Sequence, residues 1–195
     1  LAAARRLTDI VIERFSDEQD AGLYFTSVDH ELVLTRRKDP FDGAIPSAFA
    51  VMALNLLRLE KLSGEPAYGE RARRLLLDVS AAVPRVPMGL GATLIALDFL
   101  LHPPVELALV GDLSSPLAAD FLEKIHSGFL PSRVIAASAN PPPAELAAEI
   151  PLLAGKEHKA VGARLYICRD YSCREPVDDP QVAEEMLPFV SFPGG

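Results

Sequence analysis

The sequence predicts a mixed fold in which α-helical hairpins are followed by a small α/β module with about three parallel strands. Three observations predict it: apolar residues at helical spacing before residue 102, Gly and Pro between those segments, and apolar strands alternating with helices after His102-Pro103-Pro104. We therefore expect two domains, 1–102 and 103–195. A chain of 195 residues, 49% hydrophobic and 24% charged, is long enough for two small cores.

Helices are predicted in four places in the N-terminal half. Apolar residues recur at helical spacing in Leu1–Phe15. Ser47 is a predicted N-cap of a helix that ends near Ser63-Gly64, where glycine favours a C-cap. Pro66 begins the next helix, which extends to about Val83. The last helix, from about Gly89 to Leu101, is apolar on nearly every side, so we expect it to be covered all round.

A small β-hairpin is predicted near residues 22–35. Two short β-rich runs, Gly22–Thr26 and Leu32–Thr35, flank a polar turn at Asp29-His30-Glu31. The loop that follows contains Pro40 and Pro46, which prevent it from continuing as a helix.

Strands and helices alternate in the C-terminal half. The predicted order is Val105–Val110, Pro116–His126, Arg133–Ser138, Ala144–Leu153, Ala163–Cys168 and Pro180–Leu187. Helices between apolar strands are typical of right-handed parallel crossovers, so we expect the three strands to be parallel.

Charge and hydropathy argue against two classes of partner. The net charge of -8 argues against nucleic acid, since phosphate binding needs clustered Lys and Arg. The short basic run Arg36-Arg37-Lys38 is interpreted as a solvated loop. The apolar stretch Leu90–Leu101 is too short for a membrane span and contains Asp98.

The first residue and the cysteine content predict whether sequence precedes this chain and in which compartment the protein lies. The chain begins with Leu1 inside a predicted helix and has no initiator Met, so we expect it to continue upstream. Two Cys and four His do not make a disulfide framework, which favours a reducing cytoplasm. No cofactor-binding motif is predicted, and no two His have the spacing of a helical metal pair.

Several short motifs together carry a family resemblance. They occur in the order Phe41–Ser47, Asn55–Leu59, Val110–Asp112, Leu130–Val134, and Tyr166–Cys168 through Cys173 to Pro176 and Asp179-Pro180. With them the chain resembles, over nearly its whole length, the C-terminal third of the thioredoxin-fused, spermatogenesis-associated protein family. The resemblance implies an upstream thioredoxin-like domain as a partner and an (α/α)6 barrel of the six-hairpin glycosidase and sugar-epimerase type, with no established activity.

The resemblance also implies a position for each half. Residues 1–102 would be the closing hairpins of the barrel, and the rest a C-terminal appendage. A small sugar is the ligand that such a barrel suggests. This chain departs from the family pattern after the Pro-Ser pair, where Ala48, Phe49 and Ala50 replace a small residue, Asn and Ser. The change removes polar groups that a sugar hydroxyl could use.

Asp39 and Asp42 are the candidate catalytic residues. They flank Pro40-Phe41 in a loop that enters a helix, and paired carboxylates carry out glycoside hydrolysis as acid and base or nucleophile. The alternative is structural: Asp42 turns the chain with Gly43, and Asp39 caps the turn before Pro40.

Cys168 and Cys173 are the candidate redox residues. They have neither the Cys-x-x-Cys spacing nor a second pair of zinc ligands, but a loop could bring the two sulfurs within bridging distance. The alternative is that both are small apolar residues at a strand end.

Two functional hypotheses follow, together with a structural alternative. The first is a carbohydrate-active or carbohydrate-binding barrel that uses Asp42. The second is a redox-linked or scaffolding module that works with the upstream domain through Cys168 and Cys173. The structural alternative is a segment without chemistry that closes and covers the barrel.

Overall fold

The computed structural model describes residues 1–17, 19–20, 22–31, 35–159 and 161–189. The described residues form seven α-helices and a four-stranded sheet, and they divide into two compact units. The first unit contains the described residues of Leu1–Glu60 and Glu65–His102. The second contains Lys61–Gly64 and the described residues from Pro103 onward.

Four α-helices and one 3-10 turn lie before residue 103. They are α1 (Ala2–Phe15), α2 (Ala48–Ser63), α3 (Pro66–Val79), the 3-10 turn Pro87–Gly89 and α4 (Gly91–Leu101). The predicted cap of α2 is confirmed, because the Ser47 hydroxyl accepts a hydrogen bond from the backbone N–H of Ala50 at 3.2 Å. Gly64 follows α2 with a φ of +70°, a conformation that glycine adopts without strain.

The apolar core of the first unit comes mainly from α2, α3 and α4. Its largest fully buried side chains are Leu56, Leu57, Leu75, Leu76 and Leu90. Within the described residues, the last of these helices is not covered all round. Leu94, Ile95 and Leu101 of α4 are 39%, 52% and 70% exposed. Buried positions recur in α4 at three-residue spacing, as Thr93, Ala96 and Phe99, so the helix buries one stripe and not its whole surface.

The chain near residues 22–35 differs from the predicted hairpin. Instead of a strand, Gly22–Thr26 contains two isolated antiparallel bridges, from Leu23 to Ser16 and from Tyr24 to Lys38. Residues 32–34 of the expected partner run lie outside the described part of the chain.

Ion pairs between side chains stabilise the loop between α1 and α2. Lys38 Nζ lies 2.6 Å from Asp17 Oδ2 and 2.5 Å from Asp20 Oδ1, and the Tyr24 hydroxyl donates to Asp17 at 2.7 Å. The Arg36 guanidinium lies 3.9 Å from the centroid of the Tyr24 ring. The basic run is therefore only partly a solvated loop, since Arg36 and Lys38 both make intramolecular contacts.

A mixed sheet forms the centre of the second unit. Its strands are β1 (Val105–Gly111), β2 (Arg133–Ser138), β3 (Ala163–Arg169) and β4 (Ser172–Cys173), in the order β2-β1-β3-β4. The pair of β1 and β2 is parallel, as predicted. The third predicted strand is antiparallel to β1, with Gly111 opposite Ala163 and Glu106 opposite Cys168, so the expectation of three parallel strands is wrong.

The segment before β3 lacks the single long helix that the sequence predicts there. The other helices of this unit are α5 (Pro116–Ser127), α6 (Ala144–Glu149) and α7 (Pro180–Met186). Helix α6 has six residues and ends before Pro151, so it spans about 9 Å. A seven-residue strand spans about 23 Å. In place of a full crossover helix, the segment 139–162 contains α6 and the 3-10 turn Pro151–Leu153, and the chain enters β3 at the end of the sheet where β1 ends.

Strand β1 is buried along its whole length. Alternate residues, including Leu107 and Leu109, join the core cluster that contains Phe121 and Ile125 of α5 and Ala183 of α7. The intervening residues of β1 point to the opposite face of the sheet. Among them is Glu106, a carboxylate with 0% exposure.

Gly111 at the end of β1 is expected to be irreplaceable. It has a φ of +147°, and a Cβ there would overlap the carbonyl oxygen of Gly162 and lie 2.5 Å from Ala163 Cα. We predict that Gly111→Ala lowers the free energy of unfolding by more than about 3 kcal/mol, through backbone strain at a positive φ and displacement of the β1–β3 pairing. Urea unfolding measures the loss.

Gly155→Ala is the matched control for this substitution. Gly155 also has a positive φ, +67°, but a Cβ there meets nothing within 4 Å. We expect a loss of about 1 kcal/mol from the backbone conformation alone. Equal losses in the two variants would show that the close approach at Gly111 does not matter.

Candidate functional site

The two cysteines of the chain are joined at the end of the sheet. Cys168 in β3 lies directly opposite Cys173 in β4, and the sulfur atoms are bonded at 2.07 Å. A two-residue turn, Asp170-Tyr171, connects the strands with φ values of 47° and 59°. Such turns match the twist of a hairpin. They bring the side chains of Cys168 and Cys173, the second pair from the turn, close together. The structure therefore assembles the candidate redox pair.

The two bonded cysteines differ in burial. Cys168 is 1% exposed, whereas Cys173 is partly exposed in the short edge strand. An attacking thiolate must reach a sulfur atom along the axis of the bond, so access limits the rate of exchange. Cys173 is therefore the cysteine that a partner can reach.

Hydrogen bonds to other parts of the second unit hold the turn. The backbone N–H of Tyr171 donates to Glu106 Oε2 at 2.8 Å, and its hydroxyl donates to the carbonyl oxygen of Lys61 at 3.0 Å. Asp170 accepts a hydrogen bond from Lys61 Nζ at 2.9 Å. These contacts offset the cost of a left-handed conformation at Tyr171, which lacks the freedom of glycine.

Buried Glu106 and half-buried Lys61 form an ion pair beside the cysteines. Lys61 Nζ lies 3.4 Å from Glu106 Oε1, close enough for charge attraction but without the alignment of a hydrogen bond. Burial by itself would lower the pKa of Lys61. The hydrogen bond to Asp170 and the charges of Glu106 and Asp170 outweigh burial, so the pKa is raised and the ammonium stays charged.

A cavity of about 280 Å³ borders both cysteines. Its wall is formed by Val105, Ile167, Cys168, Arg169, Ser172, Cys173, Arg174, Met186 and Pro188. Arg169 and Arg174 are exposed, and within the described part of the chain neither guanidinium is in a salt bridge. Uncompensated cations near a thiol favour its thiolate form.

Asp42, the first candidate catalytic residue, makes backbone contacts through both carboxylate oxygens. Oδ1 accepts from the N–H of Ser47 and Oδ2 from the N–H of Ala92, each at 2.8 Å. Burial would raise the pKa of Asp42, but these hydrogen bonds outweigh it and lower the pKa. A carboxylate held in this way connects the starts of α2 and α4 and is a poor general acid.

Asp39, the second candidate catalytic residue, is exposed and accepts a hydrogen bond from the N–H of Phe41 at 3.2 Å. Arg37 lies 3.8 Å from its other oxygen. These contacts are those of an Asx turn. Each aspartate thus accepts hydrogen bonds from backbone N–H groups, and no described contact joins the two carboxylates.

One of the four histidines, His158, makes several contacts within the second unit. His158 is half-buried, and its Nε2 lies 2.9 Å from the carbonyl oxygen of Val110. Its backbone N–H donates a hydrogen bond to the Asn140 side chain, and its carbonyl oxygen accepts one from the same side chain. His102 pairs with Asp98 in the last turn of α4. In the described ranges we find no group of three His, Cys, Asp or Glu residues placed to hold a metal ion.

Sequence reasoning missed Glu106 and Lys61. One signal was available: Glu106 is the only charged residue in the apolar run Val105–Val110, which was predicted to be a strand. A charged side chain in the middle of a buried strand is removed from water and needs an opposite charge or hydrogen-bond partners. The partner, Lys61, lies at the end of a helix far away in sequence and has no signal of its own.

Curated proteins of one name from three mammals are similar to this chain. Spermatogenesis-associated protein 20 of Homo sapiens is 29% identical over 185 residues, which is 94% of this chain and 24% of the human protein. The proteins of that name from Rattus norvegicus and Mus musculus are 30% and 28% identical, also over 94% of this chain and 23% of each relative. The chain is similar to spermatogenesis-associated protein 20.

The similarity supports the family that the motifs suggested. The chain spans about a quarter of the length of the human and rat proteins of that name. No family model matches the chain, and no solved structure matches it.

Among the described residues, no helix has both the length and the apolar character needed to cross a bilayer.

The two hydrogen bonds of Asp42 predict a structural effect of its removal. Asp42→Ala leaves two helix-terminal N–H groups without their acceptor, so we expect the free energy of unfolding to fall by about 1–2 kcal/mol. Because the folded-state pKa is lowered, the stabilisation is present above the ordinary pKa of about 3.9 and is lost as the pH falls through the folded value. Urea unfolding at pH 7 and pH 3 measures both effects.

Asp39→Ala is the control for Asp42→Ala. Its carboxylate accepts one long hydrogen bond at the surface, so we expect a change below about 0.5 kcal/mol. If both variants lose the same stability, Asp42 does not connect the two helices as described.

The bond between the cysteines predicts a separate stability effect. It closes a loop of six residues, and the chain-entropy estimate for such a loop is about 2 kcal/mol. Reduction by a dithiol is therefore expected to lower the free energy of unfolding by about 2 kcal/mol, measured by urea unfolding with and without reductant. The Cys168→Ser, Cys173→Ser double variant is the control, and reductant should not alter its stability.

Proposed function

We propose that the second unit is a redox-linked module whose working group is a reversible dithiol–disulfide couple at Cys168 and Cys173. The observation that carries the proposal is the bonded pair itself, with one cysteine buried and the other partly exposed beside a cavity. The exposed guanidinium groups of Arg169 and Arg174 support it, because nearby cations favour the thiolate that carries out exchange.

The exchange involves a dithiol partner. A thiolate of the partner attacks the sulfur of Cys173, the bond between the two cysteines breaks, and its electron pair passes to Cys168. A mixed disulfide then joins Cys173 to the partner. The second thiol of the partner attacks this mixed disulfide, so the partner leaves oxidised. In total, two electrons and two protons pass from the partner dithiol to the chain.

The partner that we propose is the upstream thioredoxin-like domain implied by the family resemblance. Its chemical class, a dithiol oxidoreductase, matches the reaction that the cysteine pair can undergo. In a reducing cytoplasm, the compartment that we propose, the couple would rest as a dithiol and close under oxidising conditions.

The carbohydrate-active alternative has less support. It rests on the resemblance to proteins with an (α/α)6 barrel and on Asp42 and Asp39. Both oxygens of Asp42 accept backbone hydrogen bonds, and Asp39 forms a turn. Neither aspartate is therefore arranged in the described structure as one of the two carboxylates of a glycosidase.

A redox titration tests the proposal. The chain is equilibrated with mixtures of reduced and oxidised dithiothreitol, its free thiols are alkylated, and mass spectrometry counts them. We expect one two-electron transition in which both cysteines change together, in protein that remains folded. Two thiols that stay free in every mixture, or a bond that opens only in denaturant, would contradict the proposal.

Single variants test which cysteine exchanges. Cys168→Ser leaves Cys173, which we expect to form a mixed disulfide with a partner thiol readily. Cys173→Ser leaves the buried Cys168, which we expect to react at least about tenfold more slowly because it is shielded from solvent. Equal rates in the two variants would remove the assignment of Cys173 as the site of attack.

A further inference from the structure

Glu106 is a carboxylate in an otherwise apolar strand. It is 0% exposed, and the other residues of β1 are Val, Leu, Ala and Gly. An ionised group loses its hydration when it is buried, and an ion pair in the interior recovers this loss only in part. An apolar side chain would occupy the same position without that cost. Packing therefore does not account for the carboxylate.

The register places Glu106 beside the cysteine pair. Glu106 lies opposite Cys168, and Cys168 lies opposite Cys173, so the three side chains project from the same face of the sheet. The Cβ atoms of directly opposed residues in antiparallel strands are about 4.5–5.5 Å apart. The hydrogen bond from Tyr171 N to Glu106 Oε2 also connects the carboxylate to the turn that the disulfide closes.

This placement affects the reduced state of the couple. When the bond opens, Cys168 receives the electron pair in a buried position beside a negative charge. Like charges on neighbouring side chains repel more strongly where water is excluded. Cys168 therefore takes up a proton, and the more exposed Cys173 remains the thiol that ionises.

We infer that Glu106 is a positioning residue of the couple, whose charge, partly offset by Lys61, keeps reduced Cys168 protonated and leaves Cys173 as the exchanging thiolate. The inference rests on the proposed function and deepens it. It assigns roles within the reduced pair: Cys173 ionises and attacks a disulfide of the partner, and Cys168 holds the proton.

The other charged groups near Glu106 are few. Lys61 Nζ is 3.4 Å from its Oε1, and Asp170 takes a hydrogen bond from the same ammonium. Lys156 is the other cation: burial lowers its pKa, and the charge of Glu106 opposes that change. The segment packed on this part of the sheet, Pro151–Leu153, contributes buried Leu152 and Leu153 and no charge. Lys61 is therefore the main counterion.

A pH titration of the reduced 195-residue chain tests the inference. In the Cys173→Ser background only Cys168 titrates, and its thiolate is followed by ultraviolet absorbance, which does not require access for a reagent. We expect Glu106→Gln to move the midpoint to lower pH, with about tenfold more thiolate at a given pH below the midpoint. Glu106→Asp retains the charge and should restore the original midpoint in large part.

Two further variants make the result decisive. Lys61→Met removes the counterion and should move the Cys168 midpoint to higher pH. In the Cys168→Ser background, Glu106→Gln should change the midpoint of the more distant Cys173 much less. Urea unfolding checks that each protein is folded, because a role in stability alone would leave the midpoints unchanged.

Each outcome supports or overturns the inference. Opposite shifts in Glu106→Gln and Lys61→Met support it, and Lys61→Met decides the matter if Glu106→Gln does not fold. An unchanged Cys168 midpoint in the folded variants overturns it. The proposed function fails differently, if the two cysteines of the unsubstituted chain do not form and open a bond in the redox titration.

Discussion

Strands β1 and β3 pair in an antiparallel register that places Glu106 opposite Cys168, and the candidate site depends on this pairing. The same register brings Gly111 against Gly162 and Ala163, where no side chain fits. Because β3 ends at Arg169 and turns back at once, the edge strand β4 holds Cys173 beside its partner. A shift of one residue would place Cys168 on the opposite face from Glu106.

The first unit shows a different constraint. Asp42 accepts hydrogen bonds from the N–H groups of Ser47 and Ala92, so one carboxylate connects the starts of two helices. Several apolar side chains of this unit remain exposed, among them Leu94 and Leu101 of α4. The residue that sequence reasoning selected for catalysis therefore acts in the described structure as a helix-terminal acceptor, and the helix expected to be enclosed is open on one side.

Local patterns determined much of what was predicted correctly. The Ser47 cap, the glycine after α2 and the proline at the start of α3 are local signals, and the helices lie close to the predicted positions. The parallel pair β1–β2 also follows from a local pattern, a full-length helix between two apolar strands. The third strand was assigned the wrong direction, because a six-residue helix and a 3-10 turn were expected to form one continuous helix.

By itself the sequence determined the mixed class of the chain, most element positions and the choice of Cys168 and Cys173 as a possible redox pair. Only the tertiary structure decided that these cysteines are bonded across a turn, that β3 runs antiparallel to β1, and that a buried Glu106 faces them with Lys61 as its counterion. The physical reason is that helix caps and periodicity act within a few residues, whereas register and charge pairing depend on contacts between distant segments. Lys61 and Glu106 are 45 residues apart in the chain and 3.4 Å apart in space.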